Sequence, residues 1–412
     1  MERLVMTKQS VKTWSIISLA SIPLVMTLGN SMLIPVLPVF EKQVGITTFQ
    51  SSMIITSYSL AAIFLIPVAG YLSDRYSRKI VILTSLVLAF IGGLIAGFAS
   101  WKLSDPFTWI IIGRVLQGIG AAGAFPIILP LVGDLFKGDD EKASACLGIV
   151  ETSNTFGKVL SPILGALFAS FLWYIPFFSI SLFSLISIVL IYLFIKVPKQ
   201  KEEVQPFQEF LQKTKSTFKT EGKWLYTVFF IGIHLMLILF GVLFFLSDIF
   251  EKQHQLYGVT KGLVLAIPLF GLCLASFITG RKIKGDLATM KRVLLFSLPV
   301  TAASVVFVGF SSGNLYILLI ITSILGIAIG SALPTLDAMI TQGIDKEERG
   351  TITAFYSSSR FIGVALGPPA ISMAMRQYLH VSYITMGIIG LLLFFLVWHF
   401  IHADEHIAAE SG

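Results

Sequence analysis

Glu151 and Lys158 lie seven positions apart inside one long run of apolar residues, and Arg114, His234 and Arg360 each lie inside another. An ionisable side chain is costly in such surroundings, so each is a functional candidate. A carboxyl there is pulled two ways, since loss of water favours the neutral acid and a nearby cation favours the carboxylate. A group balanced between the two can load a proton in one setting and release it in another. Glu151 is on this ground the first candidate for a proton carrier, with Arg114 and Lys158 as the cations that tune it. The blander alternative is a static ion pair, Glu151–Lys158 or Glu151–Arg114, that only holds helices together. At a spacing of seven the first pair projects from a similar helix face. Arg114 stands about five residues, roughly 8 Å of helix, from the end of its run, and needs either a partner or an escape to the interface. His234 could titrate near neutrality, although a lone histidine in such a run more often makes a helix–helix hydrogen bond. Together with Asn30, Gln117 and Arg360 it is a candidate to line a cavity.

A second constellation is Gly70-Tyr71-Leu72-Ser73-Asp74-Arg75-Tyr76-Ser77-Arg78-Lys79, a charged stretch between two apolar runs. Asp74, Arg75, Arg78 and Lys79 cannot lie in lipid, so they predict a tight turn at a membrane face and carry the sign of that face. Asp74 can face the N-terminal end of a neighbouring helix, where the backbone dipole favours an anion, or merely offset local positive charge. Arg78 can pair with Asp134 at the end of a later run. A third constellation surrounds Glu151: the small residues Gly148, Gly157, Ser161 and Gly165 permit close helix approach, and Pro162 removes a backbone donor and bends its helix.

The elements that must position these residues follow from composition. The chain has 412 residues, 55% hydrophobic and 13% charged, with a mean hydropathy of +0.85. Soluble domains run near 25% charged, so this one has too little polar surface for water and reads as an all-α integral membrane protein. Twelve apolar runs are long enough to span a bilayer: Trp14–Phe40, Gln50–Tyr71, Ile80–Ser100, Thr108–Phe136, Ala143–Leu172, Tyr174–Val197, Trp224–Phe250, Val259–Gly280, Val293–Phe310, Leu315–Gln342, Thr351–Gln377 and Ser382–His402. Of the 30 Lys and Arg, only Lys42, Lys102, Lys252, Lys261 and Arg376 fall in the outer segments if the N-terminus is inside. Arg114, Lys158 and Arg360 fall within spans, and the other 22 are inner. That bias predicts cytoplasmic N- and C-termini in the cell membrane. The basic balance, with an isoelectric point near 9.2, is thus assigned to anionic lipid rather than to nucleic acid. Cys146 and Cys273 lie inside apolar runs and imply no disulfide framework or metal cluster.

The polar break Lys199–Lys223, with Phe207, Phe210, Leu211 and Phe218 among Lys and Glu, predicts an amphipathic inner-surface linker. It divides the chain into an N-terminal six-helix half (1–198), the linker (199–223), a C-terminal six-helix half (224–402) and a tail (403–412). A weak internal repeat supports the division, since Gly157-x3-Ser161-Pro162 matches Gly363-x3-Gly367-Pro368 at an offset of 206.

The chain resembles the major facilitator superfamily, in its twelve-span bacterial drug/proton antiporter branch. The pattern G-x-L-a-D-r-x-G-r-K is matched by Gly70 through Lys79, with Ser77 in place of a Gly. R-x-x-q-G-x-g-a-a is matched by Arg114-Val115-Leu116-Gln117-Gly118-Ile119-Gly120-Ala121-Ala122. The fifth-span antiporter pattern is matched by Gly148, Gly157, Ser161-Pro162 and Gly165-Ala166, with Ser and Ala replacing two glycines. The resemblance implies two six-helix halves and proton-coupled efflux of a small amphipathic molecule by alternating access, multidrug-exporter-like. It implies that Gly70, Asp74, Arg75, Arg78 and Asp134 form a conformational clamp, with Asp74 facing the eleventh span near Gly350-Thr351, and that Arg114 assists proton transfer or orients a carboxylate. The family often carries a carboxylate in the first span; here that region holds Asn30 and no acid, which moves the proton role to Glu151.

Arg114, Lys158 and Arg360 against Glu151 leave excess positive charge at membrane depth, which would suit a neutral or anionic amphiphile such as an acidic metabolite or a catecholate siderophore. An importer or uniporter of the same fold, and a non-transporting membrane receptor, remain as alternatives. The direction of proton-gradient-dependent transport in everted vesicles separates the first from an exporter, and tolerance of Glu151 loss marks the second. No P-loop, H-E-x-x-H or G-x-S-x-G motif is present, so a primary pump or an intramembrane enzyme is not expected. The expected partners are a small-molecule substrate, protons and lipid, for a monomer without cofactor or metal.

Overall fold

A computed structural model of the chain describes residues 2–124, 126–136, 140–196, 218, 222–283, 286–344, 346–375 and 377–401. Most of the expected linker, 199–223, lies outside these residues. Among the described residues the chain is helical, with no strand. The first span comprises α1 (Glu2–Ser31), a 3-10 turn (Ile34–Val36) and α2 (Leu37–Val44). It is followed by α3 (Thr48–Arg75), α4 (Arg78–Lys102), α5 (Phe107–Ala124), the short α6 (Ile128–Leu135), α7 (Asp140–Phe171) and α8 (Ile175–Phe194). Then come α9 (Gly222–Lys252), α10 (Gly258–Lys282), α11 (Leu287–Phe310), α12 (Leu315–Gly343), α13 (Lys346–Ala374) and α14 (Leu379–Phe400). Ten of these segments are long and apolar enough to cross a membrane by composition alone. The two remaining long helices, α7 and α13, carry Glu151, Lys158 and Arg360. Their polarity is what sets them apart, for at 32 and 29 residues they have ample length.

Two predicted runs are interrupted. Trp14–Phe40 breaks after Ser31, where Pro35 and Pro38 occupy the first turns of the following helices and cannot supply the backbone donors a continuous helix needs. Thr108–Phe136 breaks between α5 and α6. The charged stretch Gly70–Lys79 holds a tight turn, as its charge predicts, but the turn is shorter than the gap between the predicted runs. Its first six residues complete α3, and only Tyr76 and Ser77 form the turn before α4. Ser77 has φ 177°, extended backbone that any residue adopts, so this turn needs no glycine there.

Helix starts recur along the chain: Thr48 with Gly258, Arg78 with Leu287, Phe107 with Leu315, Asp140 with Lys346 and Ile175 with Leu379. The α7–α13 pair reproduces the offset of 206 found in the sequence. The chain divides into two compact units, Met1–Pro206 with Tyr257–Leu263, and Phe207–Leu256 with Val264–Gly412. In the first unit α5 packs on α3 and α4, α8 on α4, and α1 on α7 and α8. In the second, α9 packs on α13 and α14, and α11 on α12 and α14.

Lipid removes the usual hydrophobic drive between helices, so close backbone approach must supply the cohesion. Gly118 shows how close: a Cβ there would sit 2.1 Å from the Tyr58 carbonyl oxygen of α3. Large apolar side chains such as Phe64, Phe296 and Trp398 point outward and are more than 60% exposed, as a lipid-facing surface requires.

Candidate functional site

Arg114 lies on α5 and is fully buried, at 0% exposure. Its Nε donates to the Ile54 carbonyl at 2.8 Å, and its Nη1 donates to the Gly29 carbonyl at 2.7 Å and to Gln117 Oε1 at 2.5 Å. The guanidinium carbon stands 4.5 Å from the centre of the Tyr58 ring, near enough for cation–π attraction. Tyr58 is one turn beyond Ile54 on α3, and its hydroxyl donates back to the Met26 carbonyl of α1 at 3.2 Å. Gly29 is among the last four residues of α1, whose carbonyls run out of donors within their own helix. The charge of Arg114 is therefore met by the negative end of α1, a favourable place for a cation. Among the described residues no carboxylate pairs with it. Neither a Glu151–Arg114 pair nor an escape to the interface occurs. Arg114 binds α1, α3 and α5 to one another.

Asn30 and Gln117 belong to the same cluster. Both are buried, at 7% and 1% exposure, and so are not wall residues open to a ligand as the sequence suggested. Among the described residues, Asn30 Oδ1, Gln117 Nε2 and Arg114 Nη2 have no hydrogen-bond partner.

Glu151 stands on the neighbouring helix α7, about 16 Å along its axis from Asp140. A 32-residue helix is about 48 Å long against roughly 30 Å of hydrocarbon, so a centred α7 puts Glu151 several ångströms inside the apolar layer. Its side chain is exposed rather than packed away. Glu151 Oε1 accepts from Asn154 Nδ2 at 3.1 Å, and Asn154 Oδ1 accepts from the Thr27 hydroxyl of α1 at 2.6 Å. Lys158 is half-buried two turns farther along. Arg114 and Glu151 are thus connected through α1, where Thr27 and Gly29 are two residues apart, and not by direct contact.

The small residues of α7 differ in what they do. A Cβ on Gly165 would come 1.9 Å from the Met32 carbonyl, at the break of the first span, and one on Gly157 would come 3.2 Å from Thr27. Ser161 is buried and its hydroxyl donates to the Gly157 carbonyl at 2.7 Å. Pro162 sits within α7, which continues through it. Gly148 departs from the expectation of close packing: it is exposed, and a Cβ there would meet no described atom within 4 Å.

In the charged stretch, Arg78 forms an ion pair with Asp134 of α6 and donates to the Pro130 carbonyl at 2.7 Å. The guanidinium of Arg75, an exposed residue, stands 5.6 Å from the centre of the adjacent Tyr76 ring. Gly70 has open space where a Cβ would go, and its carbonyl accepts from Ser73 Oγ at 2.8 Å. Asp74 is in the last turn of α3, and its side chain lies outside the described residues.

In the second unit, Arg360 of α13 pairs with Asp337 of α12 at 3.1 Å. His234 of α9 is buried at 5% exposure, and its Nε2 stands 3.2 Å from where a Cβ of Gly390 in α14 would be. No hydrogen-bond partner for that nitrogen occurs among the described residues. His234 is thus a core residue here and makes neither the helix–helix hydrogen bond nor the cavity contact expected of it. The charge inventory changes accordingly. Arg114 is sealed against carbonyls and Arg360 is offset by Asp337, so the excess of two positive charges inferred from sequence is not available to a ligand.

Sequence reasoning missed Thr27, Tyr58 and Asn154. Of these only Asn154 carried a signal, its i+3 spacing from Glu151 on one helix face.

A family profile described as Major Facilitator Superfamily matches residues 19–290 and 285–411. The chain belongs to the major facilitator superfamily. It is a multi-pass membrane transporter. It is 50% identical over 391 residues to the bacillibactin exporter of Bacillus subtilis (strain 168), covering 95% of this chain and 97% of that protein. It is 25% identical over 407 residues to multidrug resistance protein 2 of the same organism, covering 94% and 95%. Among solved structures it resembles a D-xylose–proton symporter, with a TM-score of 0.78 at 14% identity over 95% and 98% of the two chains. It also resembles the human organic anion transporter MFSD10, with a TM-score of 0.71 at 18% identity over 93% and 99%. At those identities the two structures speak for the major facilitator fold alone.

Proposed function

We propose that this major facilitator transporter exports bacillibactin, or a siderophore of that kind, across the cytoplasmic membrane in exchange for protons, by alternating access. The cargo reading is carried by the 50% identity to a bacillibactin exporter over 95% of the chain. The broad amphipathic cargo of a multidrug exporter has the weaker support, at 25% identity. The coupling reading is carried by Glu151, an exposed carboxylate on a membrane-spanning helix, held in orientation by Asn154. A carboxylate at that depth is stabilised by a partner, by access to water or by taking up a proton, and the last two change as access alternates. Arg114 serves this scheme by fixing α1 against α3 and α5, so that the groups facing Glu151 from α1 stay in place. The Arg78–Asp134 pair, with Gly70, Asp74 and Arg75, forms the inner clamp in this reading. The chain acts as a monomer with both termini in the cytoplasm and with halves at 1–198 and 224–402.

Everted membrane vesicles test the proposal. Bacillibactin uptake into them should require an imposed pH gradient, acid inside, and should vanish with a protonophore. Uptake that ignores the gradient would remove proton coupling, and no uptake of bacillibactin beside robust uptake of cationic dyes would return the cargo to the multidrug class.

A further inference from the structure

We propose that Thr27 and Asn154 form a positioning station that presents the Glu151 carboxyl in both of its protonation states. The inference rests on the reading of Glu151 as the proton carrier. Three observations place the station. Asn154 is buried on the α1 side of α7, at 6% exposure. Its Oδ1 accepts from Thr27 Oγ1 at 2.6 Å while its Nδ2 donates to Glu151 Oε1 at 3.1 Å. Gly157, one turn on, has only a hydrogen facing α1, and an added Cβ would come 3.2 Å from the Thr27 side chain. The glycine thereby lets α1 approach closely enough for the hydroxyl to reach the amide.

The chemistry explains an amide beside a hydroxyl. A carboxylate only accepts hydrogen bonds, and a carboxylic acid donates one. An amide can offer either its NH2 or its oxygen, and a threonine hydroxyl can donate or accept. With Glu151 ionised, Thr27 donates to Oδ1 and Nδ2 donates to the carboxylate, as observed. With Glu151 protonated, the amide turns over: the acid O–H donates to Oδ1 and Nδ2 donates to the Thr27 oxygen. Both states keep their bonds, so the proton can come and go without stranding a buried polar atom, which would cost more than a lost bond to water. Of the other charged groups on the elements packed against α7, the buried Lys261 of α10 is next to Gly262, whose Cβ would come 2.4 Å from the Pro162 carbonyl, and Pro162 is roughly 16 Å along the helix from Glu151. Across the described side chains α1 offers none, α8 offers Tyr192 near its end, and α6 offers Asp134, which is committed to Arg78. Lys158 is on α7 itself.

The same place in the second unit is informative. Asn154 and Arg360 are related by the offset of 206, and Arg360 also contacts a carboxylate, Asp337. The first unit has the neutral amide where the second has a permanent cation. A fixed cation would hold a carboxylate ionised, whereas the amide leaves the proton free to exchange.

Purified protein in proteoliposomes with bacillibactin as probe tests the station. Two rates are needed: transport driven by a pH gradient, and counterflow exchange, which requires no net proton release. Thr27→Val, close in shape, and Asn154→Leu should each lower gradient-driven transport by about tenfold or more, the value of a hydrogen bond to an ionised group. Counterflow should change by less than about twofold on the same scale, and Thr27→Ser should restore the driven rate. Wild-type driven rates in both variants, or an equal loss in both assays, would overturn the station. Glu151→Gln is the control that separates the two ideas: if it retains driven transport, the carrier reading itself falls, whereas its loss beside a normal Asn154→Leu removes only the station.

Discussion

Replacing Arg114 should destabilise the first unit and not merely stop transport. In Arg114→Met the Ile54 and Gly29 carbonyls and Gln117 Oε1 lose donors that stand 2.5 to 2.8 Å away. Hydrogen bonds deleted within a membrane protein cost about 0.6 kcal/mol on average and at most about 1.7, so three of them give roughly 2 kcal/mol. Loss of the cation over Tyr58 adds about 0.5–2 kcal/mol. Relief from burying a charge offsets part of this, leaving a net loss of about 2–3 kcal/mol. At about 2–4 °C per kcal/mol for a large domain, the unfolding temperature in detergent should fall by roughly 4–12 °C. Arg114→Lys keeps the charge but gives up the planar fork that serves three acceptors at once, and should fall about half as far. The assay is thermal unfolding of purified protein followed by tryptophan fluorescence, with counterflow measured alongside. Unchanged unfolding temperatures in both variants, with transport abolished, would refute the structural role and restore Arg114 to a direct part in proton transfer.

Gly165→Ala should unfold at a clearly lower temperature or fail to accumulate, because its Cβ would overlap the Met32 carbonyl, while Gly148→Ala should match the wild type; the reverse order would contradict the packing of α7. Asp134→Ala leaves Arg78 with the Pro130 carbonyl and without its carboxylate. It should slow turnover with little change in bacillibactin affinity, and an unchanged turnover number would remove this pair from the clamp. Asp286 caps α11 through Thr289 Oγ1 and the backbone N–H groups of Ala288 and Thr289, and these bonds hold its carboxyl below the usual carboxylate range. Its lowered value means that the cap's contribution is complete above the ordinary aspartate range and fades as pH falls through the lowered value. Asp286→Asn should therefore flatten the acid-side fall in unfolding temperature, and an identical acid profile would show that the cap is not linked to pH.

The spans were legible because lipid leaves few alternatives: long apolar runs without charge must be helices, and the starts of α7 and α13 repeat the offset carried by Gly157-Ser161-Pro162 and Gly363-Gly367-Pro368. The break after Ser31 could have been read from Pro35 and Pro38, but the apolar residues around them masked it. The surroundings of Arg114 were not legible, because its acceptors on α1 and α3 are backbone carbonyls, which leave no mark in a sequence. Reasoning from side chains alone looked for a carboxylate. Asn154 was missed for a related reason, since a neutral amide is silent in an inventory of charge. The ion pair of Arg78 with Asp134 was a reading of complementary charges at matching ends of spans, and such pairs are what a charge inventory finds. His234 was overvalued because the sequence could not show that Gly390 makes room for its ring in a packed core.

Proton movement itself is the decisive observable. Proteoliposomes loaded with a pH-sensitive dye should change internal pH when bacillibactin is added to an established gradient, in the direction of exchange. Glu151→Gln, present at equal amount and still binding bacillibactin, should give no such change. A full dye response from that variant would contradict the account.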